Sequence, residues 1–340
     1  MHKTVIALAI AGLAAAPAFA DSNVTIYGAV DYGWMARSGD SGLRTECPSS
    51  KPGPGCGKQE FASGVSVPSR LGFKGSEDLG NGTKAIFELE MGFIIDTGEN
   101  SIGPAGGVIG TVGKCTSAQL AAGTCTVTNT GTTLQNSGLF RRHAWVGLTG
   151  DWGTVIGGRV DGARYGVAGK YDPFEQGGVA NMASLQGHVT RGDNAIAYIT
   201  PNVEGLYAVL AYTTSLIGQE HAYNSGDVRD WIIQPNYVMG PVSVTLNYEH
   251  ANAHNSTGDV KLNIYVFGAW YDFGVAKLTG YWEHVKTDSN PGCTGGALCD
   301  QTSWMVGGVV PVTENDDPQP QVVVAFGFLI TNWAPSMSSL

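Results

Sequence analysis

Long stretches of this chain alternate apolar residues with polar or small ones at every second position. In AIFELEMGF (85–93), Glu88 and Glu90 fall on one face, opposite a face of alanine, aromatic and aliphatic residues. VSVTLNYEH (242–250), VKLNIYVFGAW (260–270) and AKLTGYWEH (276–284) repeat the pattern. Successive side chains of a strand point to opposite faces, so a period of two predicts strands. We therefore predict an all-β fold.

Composition narrows the class of protein further. Glycine supplies 49 of the 340 residues, and glycine destabilises helix interiors. The formal net charge of −10 argues against a nucleic-acid partner, because no excess of cations is available to neutralise phosphates. After residue 20, no window offers the 18 or more apolar residues that indicate a membrane-spanning helix.

The first twenty residues differ from the rest. Lys3 precedes an apolar stretch, which ends at Ala18-Phe19-Ala20. A basic start, a short apolar core and an A-x-A site are typical of a secretory signal peptide. The alternative is an N-terminal membrane anchor. We predict a signal peptide over 1–20, followed by one domain over 21–340.

The connections between the strand-like segments fall into two classes. Every second connection is tight, at 77–82, 150–153, 202–205, 239–241 and 272–274. The others are long, at 36–65, 94–138, 161–192, 214–228, 251–259 and 286–300. Short turns at one end and long loops at the other are typical of an antiparallel transmembrane β-barrel in the outer membrane. We expect the apolar half of each strand to face lipid and the polar half to face water inside the barrel.

Four segments in a fixed order resemble the general porins of Gram-negative bacteria, in the proteobacterial branch that includes the neisserial porins. They are VTIYGAVDYG (24–33), SRLGFKGSEDLGNGTKAIFELE (69–90), RRHAWVGLTGDWGTVIGGR (141–159) and RGDNAIAYITPNVEGLYAVLAY (191–212). The resemblance implies a 16-stranded barrel, a homotrimer embedded in outer-membrane lipid, and a water-filled pore through each monomer. Small hydrophilic solutes and ions would cross it by passive diffusion.

The C-terminus departs from that family, whose members usually end on a strand closed by phenylalanine. This chain ends at Leu340, and about thirteen strand-like segments can be counted, of which the last is QVVVAFGFLIT (321–331). Either further strands lie within the long loops, or closing strands are missing from about residue 312 onward.

The resemblance also implies that the third outward loop, 161–192, folds into the barrel and narrows the pore. This assigns two loop acids, Asp172 and Glu175, to the pore constriction. Ion selectivity is set by the charges at such a constriction. The alternative is that both acids are ordinary solvated loop residues.

We expect the wall that faces these acids to be basic. Alternation in SRLGFKG places Arg70 and Lys74 on the water face. Arg159 faces inward if Ile156 faces outward, and an arginine on the lipid face near the midplane costs about 2–4 kcal/mol. These cations and the loop acids are predicted to set up a transverse field that orients polar solutes.

Six cysteines lie in the predicted long loops: Cys47, Cys56, Cys115, Cys125, Cys293 and Cys299. An even number of cysteines after a signal peptide indicates disulfides, of which six cysteines allow 15 connectivities. Proximity in the sequence favours three local pairs. Zinc is the competing hypothesis, but the spacings are not C-x-x-C and no histidine pair accompanies them.

Catalysis has little support in the sequence. Neither a G-x-S-x-G elbow nor an H-E-x-x-H pair occurs, so we predict no enzyme activity, no cofactor and no metal site. The alternative function is a secreted or surface β-rich adhesin or binding protein without a pore. Arg191-Gly192-Asp193 spells an adhesion tripeptide, which we interpret as the structural start of a strand.

Overall fold

The computed structural model describes residues 23–37, 58–101, 138–174, 188–220, 227–253, 259–288, 300–311 and 323–328. No helix within these ranges is long and apolar enough to cross a membrane. Several predictions lie outside the described residues: the signal peptide, all six cysteines, Glu175 and the last residues of the chain.

The described ranges contain sixteen strands and one helix. The first eight strands are β1 (Asn23–Ala29), β2 (Tyr32–Arg37), β3 (Lys58–Ser63), β4 (Arg70–Gly80), β5 (Thr83–Phe93), β6 (Asn100–Ser101), β7 (His143–Gly150) and β8 (Gly153–Asp161). Helix α1 (Ala163–Tyr171) follows β8. The remaining strands are β9 (Arg191–Ile199), β10 (Leu206–Thr213), β11 (Val228–Met239), β12 (Val242–Ala253), β13 (Val260–Asp272), β14 (Lys277–Thr287), β15 (Gln301–Pro311) and β16 (Val323–Phe328).

All the strand pairs of the main sheet are antiparallel, and most join strands that follow each other in the sequence. The path of hydrogen-bonded neighbours runs β1-β4-β5-β7-β8-β9-β10-β11-β12-β13-β14-β15-β16, with β6 beside β5. The five predicted tight turns are confirmed, because each joins two neighbouring strands of this path. In the turn between β4 and β5, Asn81 and Gly82 have φ of 52° and 74°. Two positive φ values form the hairpin turn that matches the twist of the strands.

The pair β2–β3 continues the first hairpin beyond a break at Asp31. The Asp31 carboxylate accepts hydrogen bonds from the backbone N–H groups of Val65 (2.6 Å), Ser66 (3.2 Å) and Val67 (3.4 Å). Ser69 Oγ accepts the Asp31 N–H at 3.0 Å. These bonds satisfy backbone groups that leave the ladder where the chain bends.

Two predicted loops contain regular structure. The predicted loop 36–65 includes β3, which pairs with β2, so that loop is shorter than expected. The predicted loop 161–192 includes α1. Neither element shows a clear alternation in the sequence, because β3 is short and a helix has no period of two.

Strand β13 contradicts the expectation that the apolar half of each strand faces outward. Leu262, Ile264 and Val266 are 8%, 0% and 3% exposed, and they pack inside the sheet against Val167 and Tyr171 of α1. On the strands on either side most of the buried inward residues are polar, although Val285 of β14 and Ala251 of β12 join the apolar cluster. A helix that lies against the inner face of β13 excludes water there, so the inward side chains are apolar.

Candidate functional site

Helix α1 lies against the inner face of the sheet, along β12, β13 and β14. The hydroxyl group of Tyr171 is 3.0 Å from Ser243 Oγ and donates to Thr245 Oγ1 at 2.8 Å. The Tyr171 ring fits because β13 has a glycine beneath it: a Cβ on Gly268 would lie 2.2 Å from Tyr171 Cδ2. Because Gly268 has no side chain, β13 leaves room for the Tyr171 ring at this position.

Arg164 links the same helix to β12 and β14 through ion pairs. Its Nη1 donates to Glu283 Oε1 at 2.9 Å, and its Nε lies 3.6 Å from Glu249 Oε1. Burial disfavours the charge of Arg164, but the carboxylates of Glu249 and Glu283 outweigh it and hold its pKa above the ordinary value. His188 Nε2 is 2.7 Å from Glu283 Oε2. Residues near both ends of the loop 161–192 therefore meet on one carboxylate of β14.

A cavity of about 350 Å³ lies between α1 and the inner face of β7 to β12. Its wall is largely apolar and includes Trp145, Ile156, Ala197, Ile199, Val209 and Ile232. Its charged lining residues include two buried acids, Asp230 and Glu249, which are 1% and 5% exposed, together with Glu88, Asp161 and Arg164. Apolar and charged surfaces thus meet in one open cavity inside the sheet.

Arg70 and Lys74 lie together on the inner face of β4, on the part of the sheet that does not hold α1. Lys74 is in register with Glu88 of β5, and Arg70 Nε is 3.7 Å from Glu90 Oε2. Lys74 is exposed, with its Nζ 5.4 Å from the centre of the Tyr27 ring. The structure therefore brings these two predicted cations to one wall.

Arg159 does not join them. Ile156 lines the interior cavity, so the condition under which Arg159 would face inward is not met. Arg159 is in register with Ala144 of β7, which alternates with the cavity-lining Trp145 and thus faces outward. Its guanidinium pairs with Asp193, and its Nε donates to the Arg141 carbonyl at 2.6 Å. The Asp193 carboxylate balances the charge of Arg159 on that face, and the Arg141 carbonyl accepts one of its donors.

Asp172 lies at the end of α1 and is 4% exposed. Its N–H donates to the Ala168 carbonyl at 2.8 Å, and its carboxylate accepts the Phe174 N–H at 2.9 Å. These bonds close the C-terminus of the helix. The structure does not bring Asp172 together with Arg70 or Lys74, and the acids that line the cavity are Glu88, Asp161, Asp230 and Glu249 instead.

Sequence analysis did not assign Arg164, Asp230, Glu249, Glu283 or His188 to the site. The alternation already placed Glu249 and Glu283 on the polar face of their strands. Glu283, however, meets His188 and Arg164 across 95 and 119 positions of sequence. Only the position of the loop inside the sheet creates these pairs.

A second polar cluster includes Glu88, Glu90 and His143, whose ligand atoms lie within 4.8 Å of one another, close enough to hold a metal ion. The group has other partners, however. Glu90 forms an ion pair with Arg142, and His143 lies 3.0 Å from Glu88 Oε1 and 3.1 Å from Asp161 Oδ1. These contacts satisfy the cluster without a metal ion.

The Arg191-Gly192-Asp193 tripeptide lies at the start of β9 and is packed against other parts of the chain. Arg191 is 4% exposed and its Nη1 lies 2.7 Å from Asp161 Oδ1. Asp193 Oδ2 accepts the Gly218 N–H at 2.7 Å. The tripeptide is therefore a structural element rather than a free adhesive loop.

Comparisons with known proteins agree with this architecture. Residues 5–316 match the family model for Gram-negative porins. An outer membrane porin protein of Bordetella pertussis is 30% identical over 294 residues, which cover 82% of this chain and 68% of that protein. The outer membrane porin protein 32 of Delftia acidovorans is 29% identical over 336 residues, covering 92% and 76%. The solved structure of the anion-selective porin from Comamonas acidovorans aligns with a TM-score of 0.61 and 25% identity, covering 86% of this chain and 75% of that one.

Proposed function

The chain belongs to the Gram-negative porin family, and we propose that its loop 161–192 forms the constriction of the channel. The protein is an outer-membrane porin, an antiparallel transmembrane β-barrel for passive diffusion of small hydrophilic solutes and ions. The family is one of channels, which favours a function without catalysis and leaves an adhesin without support.

One observation carries the constriction proposal: Arg164 and His188 both bind Glu283 on the inner wall. Arg164 lies near the start of the loop and His188 near its end. A loop that is held inward at both places occupies part of the space through which solutes pass. Pore width and the charges at that point set conduction and selectivity.

The charges suggest how the channel treats polar solutes. Arg70 and Lys74 lie on one part of the inner wall, and Asp230 and Glu249 lie on another, beside α1. We infer a transverse field between the two, which orients dipolar and zwitterionic solutes during passage. Glu175 remains a predicted member of the acidic side.

Assembly is a further part of the proposal. We infer a homotrimer in outer-membrane lipid, as the resemblance to general porins implies, and a signal peptide over 1–20 that directs export. Chemical cross-linking in native outer membranes should give a trimeric band. A monomer at every cross-linker concentration would contradict it.

Gly166 of α1 offers a direct test of the constriction. It is exposed, lines the cavity, and a Cβ placed on it meets no atom within 4 Å. Gly166→Phe should therefore project a ring into the lumen and lower single-channel conductance in planar bilayers. The control is Val146→Phe, at a position that faces outward and is 66% exposed. Equal conductance in the two variants would place the constriction elsewhere.

A further inference from the structure

His143, the first residue of β7, lies between two carboxylates. Its Nδ1 is 3.0 Å from Glu88 Oε1 of β5, and its Nε2 is 3.1 Å from Asp161 Oδ1 at the end of β8. A neutral imidazole carries one N–H and can donate to only one of the two carboxylates. The geometry therefore requires one further proton on this group of three side chains.

The other partners of the two carboxylates assign that proton to the imidazole. Glu88 Oε1 also accepts a hydrogen bond from the hydroxyl group of Tyr27. Asp161 Oδ1 also lies 2.7 Å from Arg191 Nη1. Each oxygen that faces His143 thus accepts from a second donor, as an ionised carboxylate does, so both ring nitrogens donate. His143 is an imidazolium that bridges β5 and β8.

The charge of His143 has no substitute at Glu88. The neighbouring Glu90 has two cations of its own, since it forms an ion pair with Arg142 and lies 3.7 Å from Arg70. Within the ranges that the structure describes, no cation other than His143 forms an ion pair with Glu88. Without the imidazolium, this carboxylate would keep a charge that no paired cation balances, at a place where only 20% of its side chain is exposed.

The contacts continue from Asp161 to the helix inside the sheet. Asp161 and Arg191 are register partners that close the base of the loop 161–192. The guanidinium of Arg191 lies 5.1 Å from the centre of the Tyr165 ring of α1, which is a cation–π contact. Tyr165 is buried. A line of charged contacts therefore runs from β5 through His143 to α1, on a part of the sheet that is distant from β14.

We propose that protonated His143 is a positioning residue of the channel. It holds the base of the loop 161–192 against β5, and through Asp161 and Arg191 it gives α1 a second attachment in addition to the ion pair with β14. The position of the helix in the lumen then depends on a charge that the helix itself does not carry. The proposal rests on the proposed function, in which this loop narrows the pore.

Nitrogen NMR tests the protonation state directly. The full chain in detergent is prepared with isotope-labelled histidine, and the ring signals of His143 are identified by their disappearance in His143→Gln. At neutral pH, both ring nitrogens of His143 should carry a proton, because each faces a carboxylate. A single ring N–H on His143 would overturn the proposal.

Amide hydrogen exchange then tests the hold on α1. His143→Gln keeps a polar side chain but removes the charge, so exchange in α1 should become about tenfold faster, the order expected for the loss of one charge-assisted hydrogen bond. His143→Lys keeps a cation between Glu88 and Asp161 and should retain most of the protection. A residue that only filled space would not separate the two variants. Equal acceleration in both, or none in His143→Gln, would overturn the proposal.

His284→Gln is the matched control, because it makes the same substitution on the other face of the sheet. His284 alternates with the buried Glu283 and Val285 of β14, and its Nδ1 is 2.8 Å from Thr302 Oγ1. Exchange in α1 should not change in this variant. Acceleration as large as in His143→Gln would show a general loosening and overturn the assignment. If His143→Gln does not fold, the ring nitrogens of the unchanged chain decide, with their signals identified in His143→Lys.

Failure of this proposal can be told apart from failure of the proposed function. If Gly166→Phe lowers conductance but His143→Gln leaves exchange in α1 unchanged, the loop narrows the pore and His143 does not position it. If His143→Gln accelerates exchange but Gly166→Phe leaves conductance unchanged, His143 positions the helix and the constriction lies elsewhere.

Discussion

Arg164 on α1 and Glu283 on β14 form a buried ion pair, with 2.9 Å between Nη1 and Oε1. The pair joins a loop to the inner wall at a point where neither group is open to water: the two side chains are 10% and 0% exposed. His188 approaches the other oxygen of the same carboxylate. A charge left alone in such a place has no water to stabilise it, so the pair controls where the loop lies.

Arg164→Met should weaken the hold on the loop. Removing one partner of a buried ion pair costs about 3–5 kcal/mol, because the other charge stays buried and unpaired. We expect a lower midpoint of thermal unfolding in detergent and noisier single-channel currents. Lys286→Met, at an exposed position, serves as the control. An unchanged midpoint in Arg164→Met would show that the pair does not hold the loop.

Gly268→Ala should displace α1. Its Cβ would lie 2.2 Å from Tyr171 Cδ2, which no real contact allows, and overpacking of this kind costs about 1–3 kcal/mol. The midpoint of thermal unfolding should fall, and conductance should change as the helix moves. The control is Gly280→Ala, where the nearest atom to the new Cβ, the Met305 carbonyl oxygen, is 3.9 Å away. A fall of equal size in both variants would contradict the close contact.

Neutralising the basic wall should change ion selectivity. Arg70→Gln with Lys74→Gln removes two positive charges from the inner face of β4, so the reversal potential in a salt gradient should shift toward cations. Lys286→Gln, on an exposed side chain, should shift it less. A shift that matches this control would remove Arg70 and Lys74 from the selectivity site.

Neutralising acids should have the opposite effect, and the structure ranks them. Glu249→Gln should move the reversal potential toward anions by more than Asp172→Asn does, because Glu249 lines the cavity whereas Asp172 closes the end of α1. Glu175→Gln is predicted to act in the same direction as Glu249→Gln. A larger shift for Asp172→Asn than for Glu249→Gln would reverse the assignment.

The cysteines are predicted to form three disulfides, each within one external loop. The predicted pairs are Cys47–Cys56, Cys115–Cys125 and Cys293–Cys299. Loops this short gain at most about 2–3 kcal/mol from closure, so we expect their role to be loop shape and protease resistance. Peptide mapping without reductant should recover these pairs. Pairs between loops, or free thiols, would contradict the prediction.

Local patterns in the sequence determined the strands and their connections. The alternation that placed Glu88, Glu249 and Glu283 on polar faces depends only on the period of a strand, and the structure keeps all three inside. Turns such as Asn81-Gly82 follow from the φ angles that these residues tolerate. Both features depend only on residues that are close together in the chain, so they can be predicted from one sequence.

The tertiary structure alone decided which face of a strand meets water and which charges meet each other. Ile264 and Val266 of β13 face inward because α1 covers them, and no pattern within β13 shows that a helix from another part of the chain lies there. Arg164 finds Glu283 across 119 positions for the same reason. Burial and ion pairing depend on distances through space, and these exist only after the loop 161–192 has folded into the sheet.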